Sequence, residues 1–275
     1  MLNRVCVLIR VYNRVEDLVN CVNIIRDTWT LNDYFILLVT NGENDGYLIP
    51  ESCMAKCNKV ISVKENIGHF NGNSQLLHAG MEYMPDDCDY TVILEADTWM
   101  YGDQLIRKYI KRLTDENAVW ASAQFFRYVS NLATDIAIIK TSFIKQNRDI
   151  FTFVSTPEYY VANYLTGKNY NFIYITENMP ISLPRYVRRF PFAPTGRFFT
   201  FENSKMVTHH IESLKGGMDE KKRDFNMVSK TDYFKNHYPN NGSLKILVLR
   251  TVKLISYLLP YKGWFFKTKH SYQEV

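Results

Sequence analysis

Short apolar runs alternate with segments of helical spacing through the first third of the chain, and this alternation constrains the fold more than any other feature. The run VCVLI at residues 5–9 is continuously apolar, as in strands that are buried on both faces. Helical spacing follows at residues 17–26. The pattern recurs, with strands predicted at residues 34–39, 60–63 and 90–94 and a helix at 72–84. It predicts an α/β fold with a mostly parallel sheet flanked by helices.

The second half of the chain continues with further predicted elements. We expect helices at residues 104–113 and 157–165, and strands at 119–127, 133–140 and 172–175. Asp103 is expected to cap the helix that begins near Gln104. Prolines recur at 180, 184, 191 and 194, which a regular helix does not tolerate. Residues 180–196 are therefore predicted to form a long loop or a partly ordered lid.

Polar segments stand at the ends of four successive predicted strands. Ligands of open parallel sheets bind beyond the carboxyl ends of the strands. We therefore expect the four segments to line one crevice. They are RVYNR at 10–14, TNGENDG at 40–46, ENIGHFNG at 65–72 and EADT at 95–98.

Two acids, Glu95 and Asp97, lie one residue apart at the end of the fourth predicted strand. Alternation along an extended segment places both side chains on one side of the chain. Carboxylate oxygens at that position suit Mg²⁺ or Mn²⁺ carrying a diphosphate. The spacing alone leaves open an ordinary structural role for the pair, since acids are common where a helix begins.

The segment LEADTWMYGDQL, at residues 94–105, resembles the Asp-x-Asp segment of GT-A-fold glycosyltransferases, particularly the large inverting family two. Three earlier segments are similar to the nucleotide-binding loops of that family, in the same order: VLIRVYNRVEDL, LVTNGENDGY and ENIGHFNGN. The resemblance covers roughly residues 4–175, and the collinear order makes it specific. It implies a Rossmann-like GT-A fold, a nucleotide-sugar donor and a Mn²⁺ or Mg²⁺ cofactor.

The resemblance also implies a set of site residues. Asp97 is the expected direct metal ligand, with Glu95 assisting at the ribose or through a water molecule. The residues expected to bind the donor and its metal are Val11, Tyr12, Asn13, Asn41, Asp45, Asn66, Gly68, Asn73, Glu95 and Asp97.

Three positions depart from the family pattern. Arg10 stands where a proline is usual, and Glu95 where the first Asp of the motif is expected. Thr40 stands where an Asp often contacts the nucleoside, and a hydroxyl cannot replace that carboxylate. The sequence therefore leaves the nucleobase contact, and with it the choice of a UDP-sugar, open.

Glu158 is the candidate catalytic base, because TPEYYVANYLTGKNYNFIYI resembles the segment of the family that carries the catalytic Asp, and Glu158 stands at the position of that Asp. A base is needed to accept the proton of the acceptor hydroxyl. The alternative is that Glu158 simply occupies the first turn of a helix after Pro157, where Glu is common.

His209 and His210 are candidate metal ligands, because the family often has a His in this region that binds the metal or the diphosphate. Adjacent residues of a strand point to opposite sides, so at most one of them can enter the site. An exposed or structural histidine is an equally good alternative. Lys215 with the two following glycines, and the pair Arg188 and Arg189, are further candidates for phosphate contacts.

The net charge of +5 is concentrated in residues 242–275, which leaves the rest of the chain neutral. A neutral body argues against a nucleic-acid-binding protein, which needs clustered cations. Residues 244–259 predict a basic amphipathic helix, and GWFF follows at 263–266. We expect this tail to contact an anionic membrane surface; a helix packed against the catalytic domain is the alternative.

The predicted organisation is a GT-A catalytic domain at residues 1–241 and a membrane-association tail at 242–275. The catalytic domain divides into a nucleotide-binding half (1–115) and an acceptor-side half (116–241). Five cysteines and the expected absence of a signal peptide favour reduced thiols in the cytoplasm. No apolar run is long enough to cross a bilayer.

Together these features predict an enzyme that is peripheral on the inner face of the plasma membrane. It would transfer a sugar, with inversion, from a nucleotide-sugar donor to a glycan or lipid-linked saccharide, as in bacterial surface polysaccharide synthesis. The alternatives are a retaining glycosyltransferase, a nucleotidyltransferase on the same fold, and a non-catalytic nucleotide- or sugar-binding module.

Overall fold

The computed structural model describes residues 3–124, 130–178, 200–208, 214 and 216–237, and positions 244, 246–248, 250, 251 and 254. The strands are β1 (Arg4–Val11), β2 (Asp33–Thr40), β3 (Lys59–Ser62), β4 (Tyr90–Glu95), β5 (Trp99–Met100), β6 (Trp120–Ser122), β7 (Ile136–Lys140), β8 (Phe172–Tyr174), β9 (Thr200–Phe201) and β10 (Met206–Val207). The helices are α1 (Val15–Thr28), α2 (Glu51–Met54), α3 (His69–Met81), α4 (Gln104–Asp115), α5 (Thr141–Gln146), α6 (Pro157–Gly167) and α7 (Gly217–Ser229). Short 3₁₀ turns lie at Glu43–Asp45, Arg148–Phe151 and Thr176–Asn178.

A seven-stranded sheet with the order β3-β2-β1-β4-β7-β6-β8 forms the centre of the fold. The strands β3, β2, β1 and β4 are parallel to one another. Strand β7 runs antiparallel to both of its neighbours, and β8 pairs in parallel with β6. A second, three-stranded antiparallel sheet has the order β5-β10-β9. The predicted α/β fold with a mostly parallel sheet is confirmed.

Strand β1 is buried on both of its faces. Val7 and Ile9 pack into one core cluster, whereas Cys6 and Leu8 pack into another on the opposite face. Helix α3 covers the second face closely, since a Cβ on Gly80 would lie 2.4 Å from a methyl carbon of Leu8. A strand with two buried faces has no polar side to show, which accounts for its continuous apolar run.

Several elements were not predicted, and their composition explains why. The strands β5 and β10 are too short for any alternation to be visible, and α7 is rich in charged residues. The strand predicted at 133–140 begins only at Ile136, because Ala133 donates its N–H to Ala123 instead. The predicted loop at 180–196 lies outside the described residues, as does most of the stretch 123–127 that was expected to continue β6.

The predicted role of Asp103 as a side-chain cap of α4 is wrong. Asp103 precedes the helix, but its side chain makes no capping hydrogen bond. Its buried carboxylate instead accepts hydrogen bonds from the Leu31 N–H at 2.8 Å and from the Tyr34 hydroxyl at 2.6 Å. Burial, reinforced by the carboxylate, raises the pKa of Tyr34. Asp103 therefore ties the connection between α1 and β2 to the start of α4, because the polar groups of that connection need a partner once they are buried.

The described positions between 244 and 254 are helical. Ile246 packs against the main core, and Arg250 donates to Glu202, with 3.1 Å between Nε and Oε2. Leu247 and Leu254 are 59% and 60% exposed. No helix in the part of the chain that the structure describes is long and apolar enough to cross a membrane. The boundary at 241/242 stays a prediction.

Candidate functional site

The strand register brings the predicted polar segments to one edge of the sheet. Arg10 on β1 lies opposite both Val39 on β2 and Glu95 on β4. Thr40 at the end of β2 lies opposite Ser62 at the end of β3. All four strands run in the same direction, so the segments that follow them start at the same carboxyl edge. The expectation that these segments share one edge is confirmed.

Tyr12, which follows β1, connects the next two loops. Its hydroxyl forms hydrogen bonds with Asn66 and with Asp45, and its ring packs edge-on against Tyr47 at a centroid distance of 5.2 Å. Desolvation raises the pKa of Tyr12, the Asn66 hydrogen bond opposes the rise, and Asp45 adds to it. Gly42 permits this close approach, since a Cβ there would lie 2.0 Å from the Tyr12 carbonyl oxygen.

Asparagine side chains line the junction between the β2 loop and the start of α3. Asn66 Oδ1 accepts the Gly68 N–H at 3.0 Å, and Gly68 has a φ of +94°, which glycine adopts without strain. A Cβ on Gly72 would lie 2.5 Å from Asn66 Oδ1 and 3.2 Å from Asn41 Nδ2. The Oδ1 atoms of Asn41 and Asn73 are buried without a hydrogen-bond partner. Such amide oxygens fit N–H or O–H donors of a bound ligand.

Other members of the predicted donor set lie at the same edge. Val11 is the last residue of β1 and is buried, and Asn13 is exposed in the loop that follows. Thr40 is fully buried, and its Oγ1 accepts the Gly42 N–H at 3.3 Å. The Thr40 side chain therefore stabilises its own loop, in the place where the family pattern has a carboxylate.

Arg10 and Glu95, two of the three departures from the family pattern, are in contact. Arg10 Nη2 donates to Glu95 Oε1 at 2.6 Å and to the Thr134 carbonyl at 2.5 Å. The Arg10 side chain is buried, whereas that of Glu95 is 28% exposed. A buried guanidinium requires a carboxylate partner, and Glu95 supplies one. Arg10 Nη1 is buried without a hydrogen-bond partner.

Asp97 lies in a tight turn that directly follows β4. The Thr98 N–H donates to the Glu95 carbonyl at 3.0 Å, and the Ala96 N–H donates to the Arg10 carbonyl at 3.3 Å. Asp97 is 6% exposed, and its Oδ1 is buried without a hydrogen-bond partner. An ionised oxygen in that state is costly unless a cation or donor completes it. This residue therefore fits a hard divalent ion.

The part of the chain that the structure describes does not place a complete set of protein metal ligands around Asp97. Among the described residues no group of three or more His, Cys, Asp or Glu side chains could hold a metal ion. A metal at Asp97 would take further oxygen ligands from a diphosphate and water. His209 and His210 lie outside the described residues.

A buried ion pair lies directly behind this turn and was missed by the sequence analysis. Lys221 Nζ on α7 donates to Asp17 Oδ1 at 2.6 Å and to the Asp97 carbonyl at 2.5 Å. The ammonium also lies 4.4 Å from the ring centroid of Trp99. Burial raises the pKa of the Asp17 carboxyl, and Lys221 opposes that rise. No local signal reveals a pair whose members are so far apart in sequence.

Asp135 is a second buried acid that the sequence analysis did not single out. Its carbonyl accepts the Glu95 N–H at 2.9 Å, and its Oδ2 accepts the Thr208 hydroxyl at 3.3 Å. Thr208 Oγ1 also lies 2.6 Å from Thr98 Oγ1. An acid inside the largely apolar strand predicted at residues 133–140 was the available signal. These contacts hold Thr208, the residue before His209, against Thr98, the residue after Asp97.

Glu158 is the second residue of α6 and is half-buried. Its carbonyl accepts the Leu132 N–H at 3.0 Å. The chain then runs from Leu132 to Thr134, which contacts Arg10, and to Asp135, which contacts Glu95. A single short segment thus connects the start of α6 to the end of β4.

The family can now be assigned. The sequence model described as Glycosyl transferase family 2 matches residues 6–201, which is most of the chain. The chain belongs to glycosyltransferase family 2. This agrees with the parallel strands, the polar loops at their carboxyl ends and the acidic turn after β4. No curated protein matches the chain significantly.

Several solved structures are similar to this chain. The mannosyltransferase PcManGT from Pyrobaculum calidifontis, in complex with GDP-Man and Mn²⁺, aligns with a TM-score of 0.50 and 14% identity over 62% of this chain and 54% of that chain. TarS from S. aureus, in complex with UDP-GlcNAc, aligns with a TM-score of 0.42 and 12% identity over 53% of this chain and 47% of that chain. The chain spans about half the length of these proteins. The likeness to PcManGT shows a GT-A fold.

For this member of glycosyltransferase family 2, the predicted family and the predicted GT-A fold are therefore confirmed. The metal ligands, the donor-binding residues and the base stay predictions.

Proposed function

We propose that this chain transfers a sugar from a nucleotide-sugar donor, with UDP-sugars as the first candidates, to a glycan or lipid-linked saccharide. The observation that carries the proposal is Asp97 Oδ1, which is buried without a partner at the carboxyl edge of β4. Two more acceptors without partners, on Asn41 and Asn73, lie in the loop and helix expected to bind the donor. PcManGT, which shares the fold, is described with GDP-Man and Mn²⁺, so GDP-sugars are the second candidates.

In this proposal Asp97 holds Mn²⁺ or Mg²⁺. A divalent ion, when bound, offsets the negative charge that develops on the leaving diphosphate. Glu95, with one oxygen on Arg10, assists at the ribose or through water. One of His209 and His210 contributes to the metal or the diphosphate, which is supported by the anchoring of Thr208 on Thr98. The loops carrying Tyr12, Asn41, Asp45 and Asn66, together with Asn73 on α3, bind the nucleoside and diphosphate.

Glu158 is the proposed base. It accepts the proton of the acceptor hydroxyl as the new bond between that oxygen and the anomeric carbon forms and the bond to the diphosphate breaks. Attack from the side opposite the diphosphate inverts the configuration. The position of Glu158 in the first turn of α6 supports this role, because the positive end of the helix dipole stabilises a carboxylate there.

The C-terminal helix is the proposed contact with the inner face of the plasma membrane. Leu244, Leu247 and Leu254 are 44%, 59% and 60% exposed, although the same helix touches the protein through Ile246 and Arg250. Exposed leucines together with basic residues are typical of interfacial helices. The helix can therefore pack against the catalytic domain and still present apolar side chains outward.

A thermal-shift screen of UDP-, GDP- and dTDP-sugars, each with and without Mn²⁺, tests the donor and the metal together. A ligand at a hundredfold its Kd stabilises the native state by about 2.7 kcal/mol. We expect the full increase in melting temperature only when donor and Mn²⁺ are both present, and only in the protein that retains Asp97. Asp115→Asn is the control, because Asp115 is exposed on α4. An Asp97→Asn variant that responds as the native protein does would refute the metal assignment.

Product configuration, read from the anomeric proton coupling by NMR, separates an inverting from a retaining enzyme. Release of diphosphate from a nucleoside triphosphate in the presence of a sugar 1-phosphate would identify a nucleotidyltransferase, because a glycosyltransferase instead releases a nucleoside diphosphate from a nucleotide sugar. Binding of a donor without any transfer or donor hydrolysis would identify a non-catalytic module.

A further inference from the structure

Two ion pairs join helices α1 and α7, and they differ mainly in burial. Lys221 and Asp17 lie 2.6 Å apart, with side chains that are 1% and 0% exposed. The next residues, Lys222 and Glu16, lie 3.1 Å apart, with side chains that are 18% and 62% exposed. The inner pair must be stripped of water, whereas the outer pair stays partly solvated.

The inner pair is not explained by stability alone. Removing two charges from water costs several kcal/mol per ion, and an apolar pair of similar volume is often as stable or more stable. Lys221 has a further contact that an apolar residue could not make, which is its hydrogen bond to the Asp97 carbonyl at 2.5 Å. The ammonium also rests on the ring of Trp99, whose backbone follows the same turn. The charge is therefore directed at the turn that carries Asp97.

The hydrogen bonds of this turn show what Lys221 adds. The Ala96 N–H is held by Arg10 and the Thr98 N–H is held by Glu95, both through backbone carbonyls. Lys221 holds the carbonyl of Asp97 itself. The Asp97 carbonyl and the Thr98 N–H belong to one peptide group, which is therefore held at both ends. This restricts rotation about the Cα–C bond of Asp97. The direction of the Asp97 side chain then follows from the backbone.

We infer that Lys221 is a positioning residue. With Asp17 as its counter-ion, it holds the backbone of Asp97 so that the carboxylate faces the metal and the donor diphosphate. The inference rests on the proposed role of Asp97 as a metal ligand, and it adds the residue that orients that ligand from a helix 124 residues further along the chain. Lys222, one residue along α7, has no such contact in the described structure and serves as a matched control.

The test compares Lys221→Met, the double variant Lys221→Met with Asp17→Leu, and Lys222→Met. Mn²⁺ binding in the presence of the donor is measured by calorimetric titration, and Tm is measured on the same samples. We expect Lys221→Met to lower Tm, because Asp17 is left buried without its partner. The double variant should regain most of that loss, because both buried charges are gone.

Metal affinity separates a positioning role from a structural one. Loss of a group that orients a metal ligand typically costs 10–100-fold in affinity. We expect the double variant to bind Mn²⁺ at least about tenfold more weakly than the native protein despite its restored Tm. Lys222→Met should match the native protein in both measurements.

A double variant with native Mn²⁺ affinity would overturn the inference and leave Lys221 as a structural ion pair. This holds even where the single variant fails to fold, because the double variant carries no unpaired charge. A native protein that binds no Mn²⁺ in the presence of any donor would instead refute the proposed role of Asp97. The two failures are therefore distinguishable.

Discussion

Arg10 Nη2 lies 2.6 Å from Oε1 of Glu95, so two residues that each depart from the family pattern form one ion pair. Glu reaches one methylene further than the Asp that the pattern expects, and arginine brings the cation that a proline lacks. The two exchanges are therefore best understood together. Their joint effect is to place a buried cation and its counter-ion next to the turn that carries Asp97.

This pair predicts an asymmetric response to mutation. Glu95→Gln leaves the Arg10 charge buried without a counter-ion and should lower the free energy of unfolding by about 2–3 kcal/mol. Arg10→Met should cost less, because the Glu95 side chain is 28% exposed and stays solvated. Urea unfolding measures both. A larger loss for Arg10→Met than for Glu95→Gln would contradict this account of the pair.

Asp97→Asn should separate stability from function. Removing an unpartnered buried charge should raise the free energy of unfolding of the metal-free protein by about 1 kcal/mol, as is common where a functional site carries strain. The same change should abolish the Mn²⁺-dependent response to the donor. Chemical denaturation without metal provides the measurement, with Asp115→Asn as the exposed control. A loss of stability comparable to that of a core mutation would argue for a structural role of Asp97.

Glu158→Gln should leave donor binding unchanged and lower kcat by about 10²–10⁴-fold, the usual contribution of a general base. Glu51→Gln is the matched control, because Glu51 also occupies the first turn of a helix and is exposed. Single-turnover assays with saturating donor measure the chemical step. If both variants turn over at the native rate, Glu158 is not the base and has only a structural role in the first turn of α6.

Gly42→Ala should disrupt the contact between the first two donor-binding loops. Its Cβ would lie 2.0 Å from the Tyr12 carbonyl oxygen, which is backbone and can yield only if the loop moves. Overpacking of this kind costs about 1–3 kcal/mol, and we expect weaker donor affinity as well. Gly167→Ala has no atom within 4 Å and should be neutral or slightly stabilising. Equal donor affinity in both variants would show that the Tyr12 loop does not contribute to binding.

Deleting residues 243–275 should release the protein from anionic vesicles in a flotation assay. Replacing Leu244, Leu247 and Leu254 with serine keeps every charge and tests the apolar contribution separately. We expect this triple variant to bind more weakly, since about 25 cal/mol is lost per Å² of apolar surface that no longer enters the interface. Undiminished association of the deleted form would rule out the tail as the membrane contact.

The elements that sequence analysis could predict are those with a local signature. The apolar run of β1 and the helical spacing of α1 can each be recognised from a few neighbouring residues, because they show directly which side chains are buried. The alternation of such strands with helices then predicts parallel pairing. The polar loops at the strand ends were likewise visible, because each directly follows its own strand. The position of the carboxyl edge therefore follows from the amino-acid sequence alone.

The contacts that escaped prediction join residues far apart in the chain. Lys221 lies on a helix rich in charged residues, and nothing near it indicates that Asp17 is its partner. Asp103 precedes α4 as a helix cap would, but its carboxylate accepts a hydrogen bond from the buried Tyr34 hydroxyl instead of capping the helix. Arg10 was recognised as unusual, but only the pairing of β1 with β4 shows that Glu95 is beside it. Side-chain partners of this kind depend on the tertiary fold.

Thr208 and Lys221 bind consecutive residues of one turn, Thr98 and Asp97. The segment between these two contacts therefore begins and ends beside the turn that carries Asp97. An insertion or deletion between Thr208 and Lys221 would therefore have to preserve both of these contacts, because each of them holds one end of the segment on the turn.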